Sequence, residues 1–199
     1  MYPKNLDNSL IDYLKQIPDF RQSSGCRHPL WLVLLIVIMG IISGDWGYRG
    51  LGRFVERHRR ELIKLLSIPQ ARLPSYSTIR RVLVGLDYEE LEKTFNQWAS
   101  QYGQMPSHQW LSIDGKGLKN TVTDYAICEQ NFINVVSVFS HQRGIVLGVK
   151  VMENKKTSEI TTVLELLEIL DLKGVVFTLD ALHCQKKPSM RLSTVAMIT

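Results

Sequence analysis

The stretch TSEITTVLELLEILDLKGVVFTLD, residues 157–180, decides the fold of the second half of this chain. Thr157 or Ser158 can cap a helix here, and Gly174 can end it. The run VVFTLD, residues 175–180, follows as an apolar strand. We therefore predict a helix that leads directly into a buried strand. The apolar residues at helical spacing are Ile160, Val163, Leu164, Leu167 and Leu170.

Upstream of this stretch the sequence reads as further strands. WLSID, residues 110–114, is a short strand. FINVVSVFS and IVLGVKVM are β-branched runs separated by the turn-like HQRG, a pattern typical of a hairpin. The order strand, hairpin, helix, strand predicts an α/β sheet with at least one crossover helix. The polar stretch SQYGQMPSHQ, residues 100–109, marks the predicted boundary with the first half of the chain.

The first half reads as helical. A hydrophobic content of 45% is enough for a sizeable core. The most apolar run, LWLVLLIVIMGIIS at 30–43, has 14 residues, whereas a bilayer span needs roughly 20. We expect a buried core helix and no membrane partner. No signal peptide pattern occurs at the N-terminus, and the three cysteines are too far apart in sequence to suggest a zinc or disulfide framework. A cytoplasmic protein with reduced thiols is expected.

Positive charge is concentrated in one region. The net charge is +5, but residues 49–81 alone contain nine Arg or Lys against two acids, a local net of +7. Arg49, Arg53, Arg57 and Arg60 are spaced to form a basic stripe on one helix. The next segment, residues 72–98, predicts two helices, with Arg80 and Arg81 on the first. Such a pair can read DNA as a helix-turn-helix does, or can simply pack.

Two aspartates occupy matching positions in the predicted sheet. Asp114 ends WLSID, and Asp180 ends VVFTLD. Strand ends in open α/β sheets line a functional crevice, and two carboxylates brought together there are ligands that Mg²⁺ accepts. A pair of Mg²⁺ ions can activate a nucleophile and stabilise a leaving oxygen in phosphodiester cleavage. The alternative is that each aspartate makes a turn or caps a helix.

Longer motifs carry a family resemblance. They are SIDGKGLK at 112–119, K-x-x-E-I at 156–160, L-D-L-K-G at 170–174, T-L-D-A-x-x-C-Q-K at 178–186, P-D-F-R-x-x-x-G-x-R-H at 18–28 and P-S-x-x-T-I-R-R at 74–81. In this order they resemble the insertion-sequence DDE transposases described as H-repeat-associated proteins. The resemblance covers about residues 10–187.

The resemblance implies a helical transposase-associated domain over 1–105, with DNA-binding capacity, followed over 106–187 by part of an RNase H-like DDE catalytic domain. The resemblance also implies that Asp114 and Asp180 match the first two catalytic acids, which hold two Mg²⁺ ions in the family. By the same resemblance Lys116 is expected to be an auxiliary phosphate contact, and Lys156 and Glu159 are expected to be supporting residues. The implied reaction is Mg²⁺-dependent cleavage at the element end and strand transfer, with the terminal repeats and target DNA as partners.

The sequence departs from this family after Lys187. The third acid of the family is a Glu beyond the second Asp, whereas residues 181–199 contain no Asp or Glu. We expect a truncated, inactive transposase in which 188–199 is a frameshifted tail. Glu159, at the start of a helix, is also explained by the helix dipole. The alternative function is a non-catalytic DNA-binding or regulatory fragment, acting as a homo-oligomer or with a full-length relative.

Overall fold

The computed structural model describes residues 9–24, 26–68, 71–102, 109–118, 121–122, 131–172, 174–179 and 197–198. The chain divides into two compact units, Met1–Thr94 and Phe95–Thr199. The described residues form seven helices and one mixed sheet, which confirms the predicted α/β class. The predicted domain assignments over 1–105, 106–187 and 188–199 stay predictions.

The first unit is a helical assembly. Its helices are α1 (Leu10–Leu14), α2 (Leu30–Ile42), α3 (Gly47–Arg57), α4 (Arg59–Leu65), α5 (Tyr76–Gly85) and the start of α6 (Tyr88–Ser100). Helix α2 supplies much of the core, because eight of its 13 residues are buried. The prediction that this apolar run is a core helix is confirmed. No single helix in the described ranges is long and apolar enough to cross a bilayer; α2 and α3 pass a length and composition test only as a pair bent by 96°.

The predicted single helix carrying the basic stripe is wrong in one respect. His58, with φ −102° and ψ 21°, leaves the helical conformation and separates α3 from α4. Helix α3 still ends on a hydrogen bond from the His58 N–H to the Phe54 carbonyl. Arg49, Arg53 and Arg57 therefore lie on α3, whereas Arg60 lies on α4.

The second unit contains the sheet. Its strands are β1 (Trp110–Gly117), β2 (Ile133–Ser140), β3 (Ile145–Glu153), β4 (Val176–Leu179) and the two-residue β5 (Met197–Ile198), in the order β3-β2-β1-β4-β5. Strands β1, β2 and β3 pair antiparallel, and β4 pairs parallel with β1 and β5. The predicted hairpin and crossover helix are confirmed, and the crossover is α7 (Glu159–Leu170).

Local capping explains where the crossover helix begins and ends. The Ser158 hydroxyl accepts a hydrogen bond from the Thr161 N–H at 3.2 Å, which satisfies a free donor of the first turn. The helix ends at Leu170 because Asp171 takes the left-handed conformation with φ 38°. The predicted stop at Gly174 is therefore three residues late. One face of α7 packs on the sheet. Val163 and Leu166 share a buried cluster with Leu111, Ile113, Val136 and Val138, and Leu166 and Leu170 lie against Gly148 of β3.

One side chain of α6 pairs with the free edge of β3. The Asn96 side chain donates to the Val149 carbonyl and accepts from the Val149 N–H, both at 2.8 Å. Asn96 is 6% exposed. Its amide thus replaces the backbone partner that an edge strand otherwise leaves unpaired.

Candidate functional site

Asp114 lies inside β1 rather than at its end. Antiparallel pairing with β2 continues from Asp114, opposite Ser137, to Gly117, opposite Asn134. The described part of the parallel pairing with β4 runs from Trp110 opposite Val176 to Ile113 opposite Leu179. The prediction that the strand ends at Asp114 is wrong, because pairing with β2 continues β1 to Gly117.

The carboxylate of Asp114 is available to a ligand. Its side chain is exposed, while Leu111 and Ile113 on the alternate positions of the strand are buried. Among the described residues it has neither a hydrogen-bond nor an ion-pair partner. Lys116 follows two residues later and is also exposed, so the two charged side chains share one face of β1.

Ser112 and Thr178, each two residues before a predicted aspartate in the sequence, lie on one face of the sheet. Ser112 and Thr178 are opposite each other in the β1–β4 register, and their hydroxyl groups are 2.8 Å apart. The Ser112 hydroxyl also contacts the His141 ring. Asp180, the second predicted acid, lies outside the described residues. It follows Thr178 by two positions in the sequence, as Asp114 follows Ser112.

A second carboxylate approaches the backbone next to Asp114. A methyl group added at Gly115 would lie 1.6 Å from Oε1 of Glu159 and 2.7 Å from its Cδ. The Glu159 carboxylate thus occupies the space that a side chain at position 115 would fill. Sequence analysis treated Glu159 as a supporting residue, and the structure brings it to the residue after Asp114. Lys156, the other supporting residue, pairs with Glu153 at 3.0 Å and not with Asp114.

The donor chemistry at this position suits a hard cation. The exposed carboxylate of Asp114 offers the oxygen ligands that Mg²⁺ prefers. Glu159 meets β1 at the Cβ position of Gly115, which lies on the opposite face of the strand, with Leu111 and Ile113. Within the described ranges, no three potential metal-ligating side chains come together. A complete site therefore needs a ligand from outside them, and Asp180 is the predicted one.

The predicted DNA-binding arginines are distributed over α3, α4 and α5. Arg49, Arg53, Arg60, Arg80 and Arg81 are exposed. Arg57 is exposed too, but it forms an ion pair with Asp45, which reduces its free charge. The assignment of these six arginines to DNA contacts stays a prediction.

The helical unit contains a basic cavity, called here the arginine cavity, that the sequence patterns did not predict. It has a volume of about 830 Å³, and no acidic residue is among its described lining residues. Arg59 and Arg72 were counted in the basic region without a role, and Arg21 and Arg27 were noted only as motif positions. Their convergence depends on tertiary packing, which spacing along the chain does not reveal. Five arginines line the cavity: Arg21, Arg27, Arg59, Arg72 and Arg81.

Electrostatics near the arginine cavity are positive. Burial first, and then the charges of Arg21 and Arg27, lower the pKa of His28, which is 9% exposed. Outside the lining, Asp19 binds Arg21, and these hydrogen bonds lower the pKa of the Asp19 carboxyl. Arg21 also donates to the His28 carbonyl at 2.9 Å. One of the five guanidinium charges is thus neutralised locally, and the lowered pKa of His28 disfavours its protonation.

Comparison with known proteins decides the family. The family model described as DDE_Tnp_1-associated matches residues 11–99. The protein named "Putative transposase YncI" of Escherichia coli K12 is 32% identical over 178 residues, which is 89% of this chain and 70% of that protein. "H repeat-associated putative transposase YbfD" of the same strain is 31% identical over 177 residues, 89% of this chain and 68% of that protein. The chain belongs to the H repeat-associated transposase family.

Relatives in the H repeat-associated transposase family differ in length. The protein named "Putative transposase YncI" of Escherichia coli O157:H7 is 33% identical over 178 residues, and the match covers 89% of this chain but 45% of that protein. The chain therefore spans about half the length of that relative. The family-model match, residues 11–99, includes every residue that lines the arginine cavity. The resemblance seen in the sequence motifs is thus confirmed at the level of the family.

Proposed function

We propose that this chain carries the DNA-binding unit and part of the catalytic domain of a DDE-type DNA transposase. The proposed reaction is Mg²⁺-dependent cleavage of DNA at the ends of an insertion element, followed by strand transfer to target DNA. Asp114 and Asp180 are the metal-holding acids in this proposal. The family membership supports the transposase role, and the register of β1 and β4 supports the assignment of the acids.

The hydrogen bond between Ser112 and Thr178 carries the proposal. It joins β1 and β4 on one face, two residues before Asp114 and Asp180 respectively. Side chains two positions apart on a strand point to the same face. If β4 continues by one residue, Asp180 becomes the neighbour of Asp114 on that face. We further propose that this unit is RNase H-like. Three antiparallel strands, a crossover helix and a parallel strand in the order β3-β2-β1-β4-β5 support this proposal, because β4, which precedes Asp180 in the sequence, lies next to β1.

The residues of the chain divide the chemical work. Asp114 and Asp180 bind and orient the metal, and Glu159 packs against β1 at Gly115, on the opposite face of the strand. Bound Mg²⁺ supplies an activated water nucleophile and stabilises the leaving oxygen of the phosphodiester. Lys116, exposed on the same face as Asp114, binds a DNA phosphate. The exposed arginines of α3, α4 and α5 hold DNA by its backbone.

A nicking assay tests this function. Residues 181–199 contain no acid, so we propose that residues 1–199 alone nick DNA slowly or not at all. The assay compares this polypeptide with one extended by a family helix that carries the third Glu, on a duplex bearing the element end. Mg²⁺-dependent nicking by the extended form, lost in Asp114→Asn and in Asp180→Asn, supports the proposal. Nicking that both substitutions leave intact would overturn it.

A non-catalytic DNA-binding role is the second candidate function. The arginine cavity and the exposed arginines favour it, since both attract a polyanion without any metal chemistry. The same assay separates the candidates. Salt-dependent DNA binding together with no Mg²⁺-dependent nicking in the extended form would support this role instead.

A further inference from the structure

We propose that the arginine cavity of the helical unit is a binding site for the phosphodiester backbone of DNA, separate from the stripe on α3 and α4. The proposal rests on the proposed function only in taking DNA as the polyanion. Its own basis is the convergence of five guanidinium groups from four chain segments on one concave surface that no described acid lines.

The hydrogen bonding of the arginines leaves most of this charge unneutralised. Arg59 donates to the Ala71 carbonyl at 3.0 Å, and Arg81 donates to the Ser77 carbonyl at 3.4 Å. Neutral carbonyl groups orient a guanidinium without cancelling its charge. Arg27 and Arg72 are exposed, and among the described residues neither has a hydrogen-bond or ion-pair partner. Orientation without neutralisation prepares a site for an anion that arrives from solution.

Further groups on the cavity wall suit phosphate oxygens. Ser75 and Thr78 line the cavity at the first turn of α5, a ten-residue helix without an acid in that turn. Backbone N–H groups at a helix start add partial positive charge that favours anions. Arg27, His28 and Arg72 also line a neighbouring cavity of about 650 Å³. Arg27 and Arg72 can therefore contact phosphates from either cavity.

The shape and the composition favour a nucleic-acid backbone over an acidic protein surface. Guanidinium groups match phosphate oxygens in a fork geometry, and a volume of about 830 Å³ is larger than one phosphate group requires. A sugar–phosphate stretch fits both the charge and the size. Phosphate contacts of this kind position DNA without reading its sequence.

The test compares two double variants of the 199-residue chain that remove the same charge. Arg27→Gln with Arg72→Gln removes the two unpartnered cavity arginines, and Lys64→Gln with Lys93→Gln is the matched control on the same unit, away from the cavity lining. Binding of a fluorescent duplex is measured by anisotropy between about 50 and 200 mM NaCl. Each phosphate contact contributes about 0.9 to the slope of log affinity against log salt.

The slope of log affinity against log salt is expected to be smaller by about 1.8 in the cavity variant than in the parent. Across the salt range, the affinity of the parent should therefore fall about 12-fold more than that of the cavity variant. The control is expected to lose less than half of that slope. Equal losses in the two variants, or an unchanged slope in the cavity variant, would overturn the proposal. Thermal melting of each variant establishes that it is folded. Ser24→Glu adds a negative charge to the cavity lining without removing an arginine, and it is also expected to weaken DNA binding.

Two further arms identify the ligand and separate this proposal from the proposed function. In one arm, inorganic phosphate is the probe. If phosphate binding depends on Arg27 and Arg72 but DNA affinity does not, the cavity is a small-anion site and the proposal is overturned. Asp114→Asn is expected to bind DNA as the parent does. If nicking is lost but DNA binding still depends on the cavity arginines, only the proposed function fails. If nicking depends on Asp114 but DNA binding does not depend on the cavity arginines, only the cavity site is rejected.

Discussion

Replacement of Gly115 by alanine tests whether Glu159 supports the Asp114 site. The added Cβ would lie 1.6 Å from Oε1 of Glu159, so this oxygen must retreat by about 1.4 Å to reach the 3.0 Å that Cβ contacts respect. Gly115 has no positive φ among the described backbone angles, so alanine fits the strand conformation. The Glu159 carboxylate, and not the backbone, is the part that moves.

The expected change in stability is small. An off-rotamer Glu159 side chain costs about 0.5–1.5 kcal/mol. Replacing glycine by alanine in a compatible conformation gains about 0.4–1 kcal/mol by restricting the unfolded chain. The two effects nearly cancel, so the free energy of unfolding should change by less than about 1 kcal/mol. Glu159 lies on the face of β1 opposite Asp114, so its support reaches the metal site through the strand backbone at Gly115. Metal affinity should therefore fall about 10-fold, the low end of the effect of losing a group that supports metal ligands.

The assay is titration of the 199-residue chain with Mn²⁺, followed by the enhancement of water proton relaxation, alongside urea unfolding. Glu159→Gln should weaken Mn²⁺ binding as Gly115→Ala does. Gly117→Ala is the matched control on the same strand, because its added Cβ would meet its nearest atom, Oδ1 of Asn134, only at 3.1 Å. Parental Mn²⁺ affinity in Gly115→Ala would refute the supporting role of Glu159. A loss of more than about 3 kcal/mol in stability would show that backbone, not a movable side chain, limits position 115.

Three other predictions follow from the described contacts. Asn96→Ala should lower the free energy of unfolding by about 1–3 kcal/mol, because it removes the side chain that pairs with the N–H and C=O of Val149. Urea unfolding measures this loss, with Gln97→Ala at the exposed neighbouring position as the control. Equal stabilities of the two variants would contradict the prediction. Burial and the charges of Arg21 and Arg27 lower the pKa of His28 in the folded protein. The unfolded state therefore takes up a proton more readily, and the free energy of unfolding should fall as the pH drops below 6.5. Melting temperatures between pH 8 and 5 should depend less on pH in His28→Gln, and an unchanged pH dependence would exclude His28 as the cause. Asp114→Asn should abolish Mn²⁺ binding and change stability by no more than about 0.5 kcal/mol, because the side chain is exposed and unpartnered among the described residues; a melting curve and a Mn²⁺ titration check both parts, and full Mn²⁺ affinity would refute the role of Asp114.

The sequence predicted those parts of the fold that depend on local periodicity. Alternating β-branched runs predicted β2 and β3, and the helical spacing from Ile160 to Leu170 predicted α7. The end of α7 was misplaced, because Asp171 takes a left-handed conformation that glycine more often adopts. The length of β1 was also misjudged. Its extension to Gly117 is held by pairing with β2, an interaction between segments about 20 residues apart that no local pattern in WLSIDGKG reports.

The candidate sites also differ in whether a local sequence signal or only a tertiary contact reveals them. Asp114 was identified from its position after an apolar run and from the family motif, and both signals are local. The contact between Glu159 and Gly115 links residues from a helix and a strand, so the motif named Glu159 but only the fold places it. The arginine cavity required the loop at Arg21 and Arg27 to meet α4 and α5. A count of charges over 49–81 therefore found the basic region but not the surface that concentrates it.

The positive charge of the helical unit and the carboxylates of the sheet have opposite effects on DNA. A site built from Asp114 and a second acid repels phosphates until metal is bound, so it attracts DNA poorly by itself. In the proposed function the arginines supply the long-range attraction that brings DNA to the protein, and this attraction falls with salt. In the extended form that carries the third Glu, substitutions in the arginine cavity should accordingly raise the KM for DNA and leave kcat nearly unchanged, because they remove binding that is equal in the ground and transition states. Asp114→Asn should instead lower kcat with little change in DNA affinity, since the metal ion that Asp114 is proposed to hold acts on the reacting phosphate. A fall in kcat caused by Arg27→Gln with Arg72→Gln would mean that the cavity also orients the scissile strand.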